Sequence, residues 1–387
     1  MYATISDLIF DLFGINIPLP IQTFGFLMAM AFVFVSFSLM YELKRKEKLG
    51  KIPTSIKRTL KGGDINLVDW ATSAIVAFII GYKLLDAVLN YSEFVNNPQI
   101  FILSMRGCFL GGFLAIGIAF YTKYKDNKKE KIKYPKPTWE EQIVHPHELT
   151  TNIIVLAAVT GLFGAKIFHN LEYFDEFLQD PIGAMLSFSG LTFYGSVIVG
   201  AIGVIWYTKK KGIKPLHMID ITAPGLALGY GIGRLGCHLS GDGDWGIVAN
   251  WGDKMPSFLP DWFWAYNFPN NVINEGIEIE GCVGNHCRVL AEAVYPTSLW
   301  EAIFGITMFG ILWFLSKKIN IAGMLFSIYL ILQGIERYFI EGIRVNSEYH
   351  ILGNAITQAE LISLFMILAG VICAGYFYMK REKFIKY

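Results

Sequence analysis

The side chains best suited to chemistry concentrate in one glycine-rich stretch. Residues 231–246 read Gly-Ile-Gly-Arg-Leu-Gly-Cys-His-Leu-Ser-Gly-Asp-Gly-Asp-Trp-Gly and follow an apolar run. Arg234, His238, Asp242 and Asp244 are therefore expected where a membrane segment reaches the water interface. The glycines would let backbone amides approach a ligand closely and adopt positive φ. Since an arginine beside such amides favours an anion, the stretch indicates a functional site. A snorkelling arginine in a turn is the structural alternative.

Two polar residues are expected at the same depth on neighbouring segments. Lys166 lies about one turn below the outer end of an apolar segment. Tyr194 lies among small residues near the outer start of the next segment. Each also has a structural interpretation, because lysines snorkel to the interface and tyrosines line it. We therefore treat both as candidate site residues whose weight depends on convergence with others.

A charged helix face is predicted later in the chain. Arg337, Glu341 and Arg344 follow the spacing i, i+4, i+7 and so share one face. Arg234 and His238, four apart, share a face of their own helix. Several cations with a few acids at headgroup depth suit a ligand with an anionic head and apolar tails, such as a phospholipid. The structural alternative for Arg337 and Glu341 is an intrahelical ion pair.

Composition sets the class of protein that must position these residues. Of the 387 residues, 53% are hydrophobic and only 17% are charged, with a mean hydropathy of +0.43. Soluble domains carry about 25% charged residues. The sequence therefore predicts an all-α polytopic membrane protein. A net charge of +1 gives no indication of a nucleic-acid partner.

Nine spans account for the apolar stretches. Lysine-rich loops at 42–61, 123–136, 209–214 and 380–386 are assigned to the cytoplasm, which places the N-terminus outside and the C-terminus inside. The longest outer loop, 240–297, is predicted to form a periplasmic domain between spans six and seven. The predicted spans are 21–41, 68–88, 101–121, 151–170, 183–207, 218–238, 299–315, 321–340 and 359–379.

One internal repeat organises the first half. A shift of 83 positions without a gap pairs Gly81 with Gly164, Lys83 with Lys166 and Pro98 with Pro181. Spans two and three are therefore predicted to duplicate spans four and five in the same orientation. We expect a first span and basic linker at 1–62, the extra hairpin at 63–125, and a core at 126–387 that contains the second copy at 150–208.

The cysteines and histidines carry weaker signals. Cys282 and Cys287 in the outer loop predict a disulfide in an oxidising compartment. His145 and His147 fall on the cytoplasmic side, far from His238, and no His-x-x-x-His or Cys-x-x-Cys spacing occurs. The sequence therefore indicates neither a metal nor a cofactor.

Four segments resemble the prolipoprotein diacylglyceryl transferase family. Residues 233–246 resemble its Gly-Arg-x-Gly-Asn-Phe-x-Asn-x-Glu motif, and residues 189–196 resemble its His-Gly-Gly segment. Residues 295–301, Tyr-Pro-Thr-Ser-Leu-Trp-Glu, are similar to its His-Pro-Thr-Gln-Leu-Tyr-Glu, and residues 337–344 match its Arg-Phe-x-x-Glu-x-x-Arg. The resemblance covers the first span and residues 150–380.

The chain departs from the family at several functional positions. Tyr194 stands where the family has its proposed catalytic histidine, and Phe24 where it has a first-span tyrosine. The motif asparagines are replaced by Cys237 and Ser240, and the motif glutamate by Asp244 or Asp242. His238, inside the motif, is the obvious substitute for the missing base.

The resemblance implies transfer of a diacylglyceryl group from phosphatidylglycerol to the thiol of a lipobox cysteine in a prolipoprotein signal peptide. It also implies a bacterial inner membrane. The alternative is a non-enzymatic lipid-binding or transporter paralogue. Expected roles are phosphate binding by Arg234 and Arg337, electrostatic support from Arg344 and Lys166, assistance to the thiol by His238 or Tyr194, orientation of the substrate by Asp242, Asp244 and Glu341, and close backbone approach at Gly236 and Gly246.

Overall fold

The computed structural model describes residues 1–15, 17, 19, 21–63, 66–96, 101–102, 104–187, 190, 192–249, 259–344, 348–351 and 354–385. Its helices are α1 (Ile5–Phe13), α2 (Thr23–Lys48), α3 (Leu67–Leu89), α4 (Tyr91–Asn96), α5 (Phe109–Lys133), α6 (Thr150–Glu172), α7 (Phe174–Gln179), α8 (Pro181–Leu186), α9 (Phe193–Lys210), α10 (Pro215–Ser240), α11 (Asp261–Trp264), α12 (Thr297–Lys318), α13 (Met324–Glu341), α14 (Gln358–Met379) and α15 (Arg381–Ile385), with a 3₁₀ turn at Pro146–Leu149.

The strands form small two-stranded sheets. β1 (Ser55–Lys61) pairs with β2 (Thr138–Val144), β3 (Ile277–Glu278) with β4 (Arg288–Val289), and β5 (Glu348–Ile351) with β6 (Asn354–Thr357). The last two pairs are antiparallel. The chain divides into two compact units. One contains Met1–Ala3, Thr23–Ser55 and His145–Tyr387, and the other contains Thr4–Gln22 and Ile56–Val144. The division predicted from the repeat stays a prediction.

Long apolar helices confirm the class of an all-α polytopic membrane protein. Within the described residues, 5 helices are long and apolar enough to cross a membrane. They are Thr23–Lys48, Leu67–Leu89, Pro146–Glu172, Thr297–Lys318 and Gln358–Met379. Each remaining predicted span also overlaps a helix, namely α5, α9, α10 or α13. The count of nine spans and their orientation stay predictions.

A glycine pair brings the helices of each repeated hairpin into backbone contact. In the first hairpin (α3 and α5), a Cβ added to Gly81 would lie 2.3 Å from the carbonyl oxygen of Gly111. In the second hairpin (α6 and α9), a Cβ added to Gly164 would lie 2.3 Å from the carbonyl oxygen of Gly195. The crossing therefore repeats. The ungapped alignment pairs Gly112 with Gly195, whereas the helix contacts make Gly111 the counterpart of Gly195. On the returning helix, the crossing is therefore one residue later in the second hairpin than the alignment predicts.

A lysine binds the connecting segment between the helices of each hairpin. The Lys83 ammonium donates to the backbone carbonyls of Phe101, Ser104 and Arg106. Lys166 donates to the carbonyl of Ala184 at 3.1 Å and to Ser187 Oγ at 3.2 Å. The long returning helices begin at Phe109 and Phe193, later than the predicted starts at 101 and 183, and the predicted start at 183 falls within the short helix α8.

Helices α10, α12 and α13 of the larger unit pack closely together. A Cβ added to Gly305 of α12 would lie 2.6 Å from the Cα of Gly231 on α10, so these backbones touch. At the other end of α10, the buried Asp220 accepts hydrogen bonds from the amides of Gly323 and Phe326, at 2.8 and 3.0 Å. Asp220 therefore caps the start of α13. The apolar core beneath contains Ala223, Ala227, Met308, Leu312 and Leu325.

The outer loop has a small core of its own. Phe268, Leu290 and Val294 are buried together, and the fully buried Asn271 donates from its amide to the carbonyl of Phe268 at 3.1 Å. A disulfide joins Cys282 to Cys287. Residues 250–258 of the predicted loop 240–297 lie outside the described residues, as do Pro98, Ser189 and Leu191 of the sequence alignments.

Candidate functional site

The glycine-rich stretch is half helix and half turn. α10 continues to Ser240, and Gly241 ends it in the left-handed conformation, with φ 65°. Gly243 also has a positive φ, 96°. The expected ligand approach through backbone is therefore restricted to these two turn positions. Gly236 instead lies inside the helix, where an added Cβ would come within 3.2 Å of the Phe24 ring, so it serves packing against α2.

Arg234 points from the last turns of α10 into a set of carboxylates. Its guanidinium forms a close ion pair with Asp244, which follows the helix, and its Nε lies 3.6 Å from Glu301 Oε2 on α12. The arginine side chain is 18% exposed and that of Asp244 33%. The two residues of the stretch that were assigned different roles, Arg234 and Asp244, are therefore in direct contact. The more exposed side of this ion pair is the side of Asp244.

Glu301 is the centre of the cluster. Its side chain is fully buried, and its Oε1 lies 3.2 Å from Arg337 Nη1 and 3.7 Å from Arg344 Nη1. Together with Arg234, three guanidinium groups from two segments, α10 and the end of α13, face one carboxylate. Tyr230 donates a further hydrogen bond to Glu301 Oε1 at 2.8 Å. A buried charge must be paired, and Glu301 is paired several times over.

Arg337 and Glu341 meet as their spacing predicts, whereas Arg344 lies beyond the end of α13 at Glu341 and is therefore not on the predicted helix face. Arg337 Nη2 lies 3.1 Å from Glu341 Oε2, and Arg344 forms a close ion pair with Asp244. Gly246 forms a bridge with Arg344 through the backbone, and a Cβ there would lie 2.7 Å from the Ile343 carbonyl oxygen. Gly246 therefore lets the outer turn seat against the end of α13. That contact brings Asp244 between Arg234 and Arg344.

The two aspartates of the turn have opposite electrostatic environments. Burial raises the pKa of Asp242 despite a hydrogen bond with the Cys237 thiol. Burial alone would also raise the pKa of Asp244, but Arg234 and then Arg344 outweigh it and hold that pKa below its usual value. Asp244 therefore stays ionised. Asp242 is the aspartate that more readily carries a proton.

Tyr194 and His238, the alternative partners for a thiol, lie in different surroundings. Tyr194 is half-buried near the start of α9, within electrostatic range of Arg337 and Glu341. His238 is buried against the rings of Tyr266 and Phe268, with ring centroids 6.0 and 5.5 Å away. Among the described residues, its Nδ1 has no hydrogen-bond partner. His238 thus faces an aromatic core, and Tyr194 lies in the electrostatic field of two charged residues of the cluster.

Lys166 lines a cavity at the outer end of the second hairpin. The cavity has a volume of about 230 Å³ and is lined by Lys166, His169, Asn170, Tyr173, Asp180 and Ser187, among others. Lys166 itself is buried and is positioned by Ala184 and Ser187. The structure therefore gives this lysine a polar cavity of its own.

Residues 134–376 match the prolipoprotein diacylglyceryl transferase family. The chain belongs to this family. A Clostridium tetani protein named phosphatidylglycerol–prolipoprotein diacylglyceryl transferase is 27% identical over 274 residues, which cover 70% of this chain and 93% of the relative. Proteins of the same name from Buchnera aphidicola and Staphylococcus saprophyticus are 28% and 31% identical, over 74% and 57% of this chain and 97% and 71% of their own lengths.

Within this family member, the sequence analysis missed the most connected residue of the site. Glu301 ends the segment 295–301 that resembles a family motif, and that position was the signal that could have identified it. Tyr230 was missed as well, whereas Glu336 was expected among the charges that end the eighth predicted span. The Tyr230 hydroxyl lies 3.2 Å from Glu336 Oε1, and Gln333 donates to Glu336 Oε2 at 2.8 Å. These contacts form a second, inner layer beneath the arginines.

Proposed function

We propose that this protein transfers the diacylglyceryl group of phosphatidylglycerol to the thiol of the lipobox cysteine of prolipoproteins and releases glycerol phosphate. The observation that carries the proposal is the meeting of Arg234, Arg337 and Arg344 around Glu301 and Asp244. Family membership supports it, because the relatives bear the name of this transferase. The substrate is thus a lipid with a phosphodiester head, and the acceptor is a membrane-anchored peptide.

Asp244 occupies the position that we assign to the phosphate. Its two carboxylate oxygens bridge Arg234 and Arg344, which is the kind of contact that guanidinium groups make with phosphate oxygens. It is also the most exposed member of the ion-pair cluster, at 33%, and it lies on a turn rather than a helix. A lipid phosphate that displaces Asp244 would therefore find two oriented arginines.

The charge balance explains why such a displacement is needed. The guanidinium groups of Arg234, Arg337 and Arg344 face the carboxylates of Asp244, Glu301 and Glu341, so positive charge is already matched. An anionic ligand binds favourably only if one carboxylate moves aside. Glu301 and Glu341 are buried in the helix packing, which leaves Asp244 as the carboxylate that moves.

The transfer needs a nucleophile and a stabilised leaving group. The cysteine sulfur forms a bond to a glyceryl carbon while the bond from that carbon to the phosphate oxygen breaks. The thiol proton passes to a base, and glycerol phosphate leaves as an anion. Fixed cations in a low-dielectric site stabilise the developing charge on the phosphate. Arg234 and Arg344, which bridge Asp244, serve this purpose, and Arg337, which the resemblance also assigned to the phosphate, supports them from its pair with Glu301.

We assign assistance to the thiol to Tyr194 rather than to His238. The neutral hydroxyl of Tyr194 can relay the thiol proton, accepting it while donating its own proton toward the departing phosphate oxygen, whereas His238 packs into the aromatic core of the outer loop. Asp242 and Glu341 orient the glycerol head or the peptide backbone. Lys166 provides a further positive charge from its cavity, and Gly246 lets the turn close over the arginines.

We further propose that the protein resides in the bacterial inner membrane with nine spans, its N-terminus and outer loop in the periplasm and its C-terminus in the cytoplasm. Lysine-rich inner loops support this orientation. A disulfide in the outer loop supports an oxidising compartment.

The decisive experiment measures transfer from labelled phosphatidylglycerol to a lipobox peptide. Arg234→Ala should lower the rate on the order of a hundred- to a thousandfold, since one preorganised donor to a developing anion contributes about 3–4 kcal/mol. Arg234→Lys keeps the charge but loses bidentate contact, so we expect it to fail nearly as badly. Arg58→Ala, which removes an exposed ion pair with Glu141, is the matched control and should retain the wild-type rate.

Two outcomes would overturn the proposal. Wild-type rates for Arg234→Ala would remove the phosphate role of that residue. No transfer by the unmutated protein, together with failure to rescue a transferase-deficient bacterium, would favour non-enzymatic lipid binding.

A further inference from the structure

We propose that Glu47, His145 and His147 form a binding site for a divalent transition-metal ion of the zinc class. Glu47 lies in the last turn of α2, and the two histidines flank Pro146 where the 3₁₀ turn leads into α6. Their nearest ligand atoms, one from each residue, all lie within 4.8 Å of one another. We call this set the inner metal site.

The carboxylate of Glu47 lies between the two imidazole rings. Its Oε1 is 2.5 Å from His145 Nδ1, and its Oε2 is 3.7 Å from His147 Nδ1. The rings stack with centroids 5.5 Å apart and an interplanar angle of 28°. Each carboxylate oxygen thus faces a different ring nitrogen, and all of these atoms border the same small space.

A simple ion pair does not account for this arrangement. The pair of His145 with Glu47 satisfies one ring nitrogen and one carboxylate oxygen. His147 Nδ1 is buried and has no hydrogen-bond partner among the described residues. A metal ion would satisfy this nitrogen together with the other two ligand atoms, because neutral imidazole nitrogen and carboxylate oxygen are both zinc ligands.

The distances require only a small adjustment. Neighbouring ligands of a tetrahedral zinc ion with bonds of about 2.0–2.1 Å lie roughly 3.3 Å apart. The contact of His147 with Glu47 is already close to that value at 3.7 Å, whereas the contact of His145 must open by less than about 1 Å. The His145 side chain is 45% exposed, so its ring is free to turn. The exposed side also leaves a coordination position open to water.

The local backbone holds the histidines in place. His145 is in extended conformation, with φ −74° and ψ 144°, and its amide donates to Glu148 Oε2 at 3.3 Å. Thr150 donates from Oγ1 to the carbonyl of His147 at 2.7 Å. A bound ion would therefore tie the end of α2 to the start of the second hairpin.

The chain offers one other group of this kind among its described residues, Cys237 with Asp242 and Asp244. There Asp244 is already engaged by Arg234 and Arg344. The guanidinium charges oppose a cation at that place, so the inner metal site is the better candidate.

Cobalt(II) is a suitable probe, because its visible absorption reports coordination in a site that would accept zinc. We would strip the detergent-purified full-length protein with a chelator, titrate it with Co²⁺, and then displace the cobalt with Zn²⁺. One ion per chain is expected for the wild type. Loss of a direct ligand in His147→Ala or Glu47→Gln should weaken binding by at least the roughly 10–100-fold that loss of outer-shell partners causes.

His286→Ala is the matched control, because it removes a histidine from the outer loop between the disulfide cysteines and should bind as the wild type does. Thermal melting of metal-free samples shows whether each variant is folded. Added Zn²⁺ should raise the melting temperature of the wild type and of His286→Ala only. If His147→Ala fails to fold, the isosteric Glu47→Gln decides. Absence of stoichiometric binding, or wild-type affinity in the ligand variants, overturns the proposal.

Discussion

The two hairpins share a helix crossing but differ in what their polar residues face. In the first hairpin, Lys83 is satisfied by three backbone carbonyls, and Arg106 pairs with Glu93 at 2.6 Å. In the second, Lys166 lines a cavity of about 230 Å³, and Tyr194 lies within electrostatic range of Arg337 and Glu341. The polar groups of the first copy are satisfied within that hairpin, whereas the second copy has a polar cavity and a tyrosine in the electrostatic field of the charged cluster.

The position of Tyr194 shows how the copies diverged. The glycine crossing places Gly195 opposite Gly164 as Gly111 lies opposite Gly81, so the counterpart of Tyr194 on α5 is Leu110. Leu110 is 65% exposed and apolar. Both hairpins therefore have the scaffold of small residues that lets their helices meet, as the predicted duplication would require. The polar residues assigned to chemistry belong to the second copy.

Topology gives the largest expected difference, since it is all or none. If the hairpins repeat in the same orientation, their tips should lie on the same side of the membrane. A reporter active only in the periplasm should therefore give signal when fused after Asn96 and after Asp180, and none when fused after Lys129. Opposite signals at the two tips would break the comparison and the nine-span assignment with it.

The glycine crossings test which hairpin serves the reaction. Gly81→Leu and Gly164→Leu each force a side chain against a carbonyl oxygen 2.3 Å away, so both should lose stability to a similar extent, roughly 1–3 kcal/mol or more. Only Gly164→Leu should lower transfer about a hundredfold, because it displaces the hairpin that carries Tyr194. Melting temperatures and transfer rates should be measured side by side. Equal rates would contradict a special role for the second copy.

Removal of a single phenol oxygen is the next test. Tyr194→Phe should slow transfer by about 10²-fold or more if Tyr194 acts in proton transfer. Tyr82→Phe removes a phenol that donates to the Met105 carbonyl in the first hairpin, at 2.8 Å, and should leave the rate unchanged. His238→Ala provides the competing case. A larger loss there than in Tyr194→Phe would reverse our assignment of the base.

The lysines should show the smallest effect on rate. Lys166→Ala should lower transfer by roughly tenfold or less, consistent with a supporting charge at one site, and Lys166→Arg should be tolerated. Lys83→Ala should leave transfer unchanged but lower stability by about 1–3 kcal/mol, because partly buried carbonyls lose their donor. Chemical denaturation and the transfer assay together separate these results. A strong loss of transfer in Lys83→Ala would show that the first hairpin also serves the reaction.

Much of the site was predictable because it depends on spacing along single helices. Arg337 and Glu341 meet as the i, i+4 rule requires, and Asp244 reaches back to Arg234 across a short turn. The long helices likewise fall where apolar runs predict them. The positions of helices and of contacts along one helix follow from local periodicity, which a single sequence contains.

Other features depend on contacts between distant segments. His238 shares a helix face with Arg234, yet Tyr266 and Phe268, from the outer loop, enclose its ring. The central position of Glu301 results from the packing of α12 against α10, which the sequence does not show. The inner metal site joins Glu47 to histidines almost a hundred residues later, so no short ligand-spacing motif in the sequence predicts it.

The cap that Asp220 places on α13 has a mechanical consequence. It pins α10 to α13 at the end of the helices opposite to the arginines, while Tyr230 and Glu336 join them again near the site. Two helices that are joined at both ends resist sliding past each other. Entry of a bulky lipid must therefore be accommodated by movement of the outer turn and the second hairpin against a rigid frame.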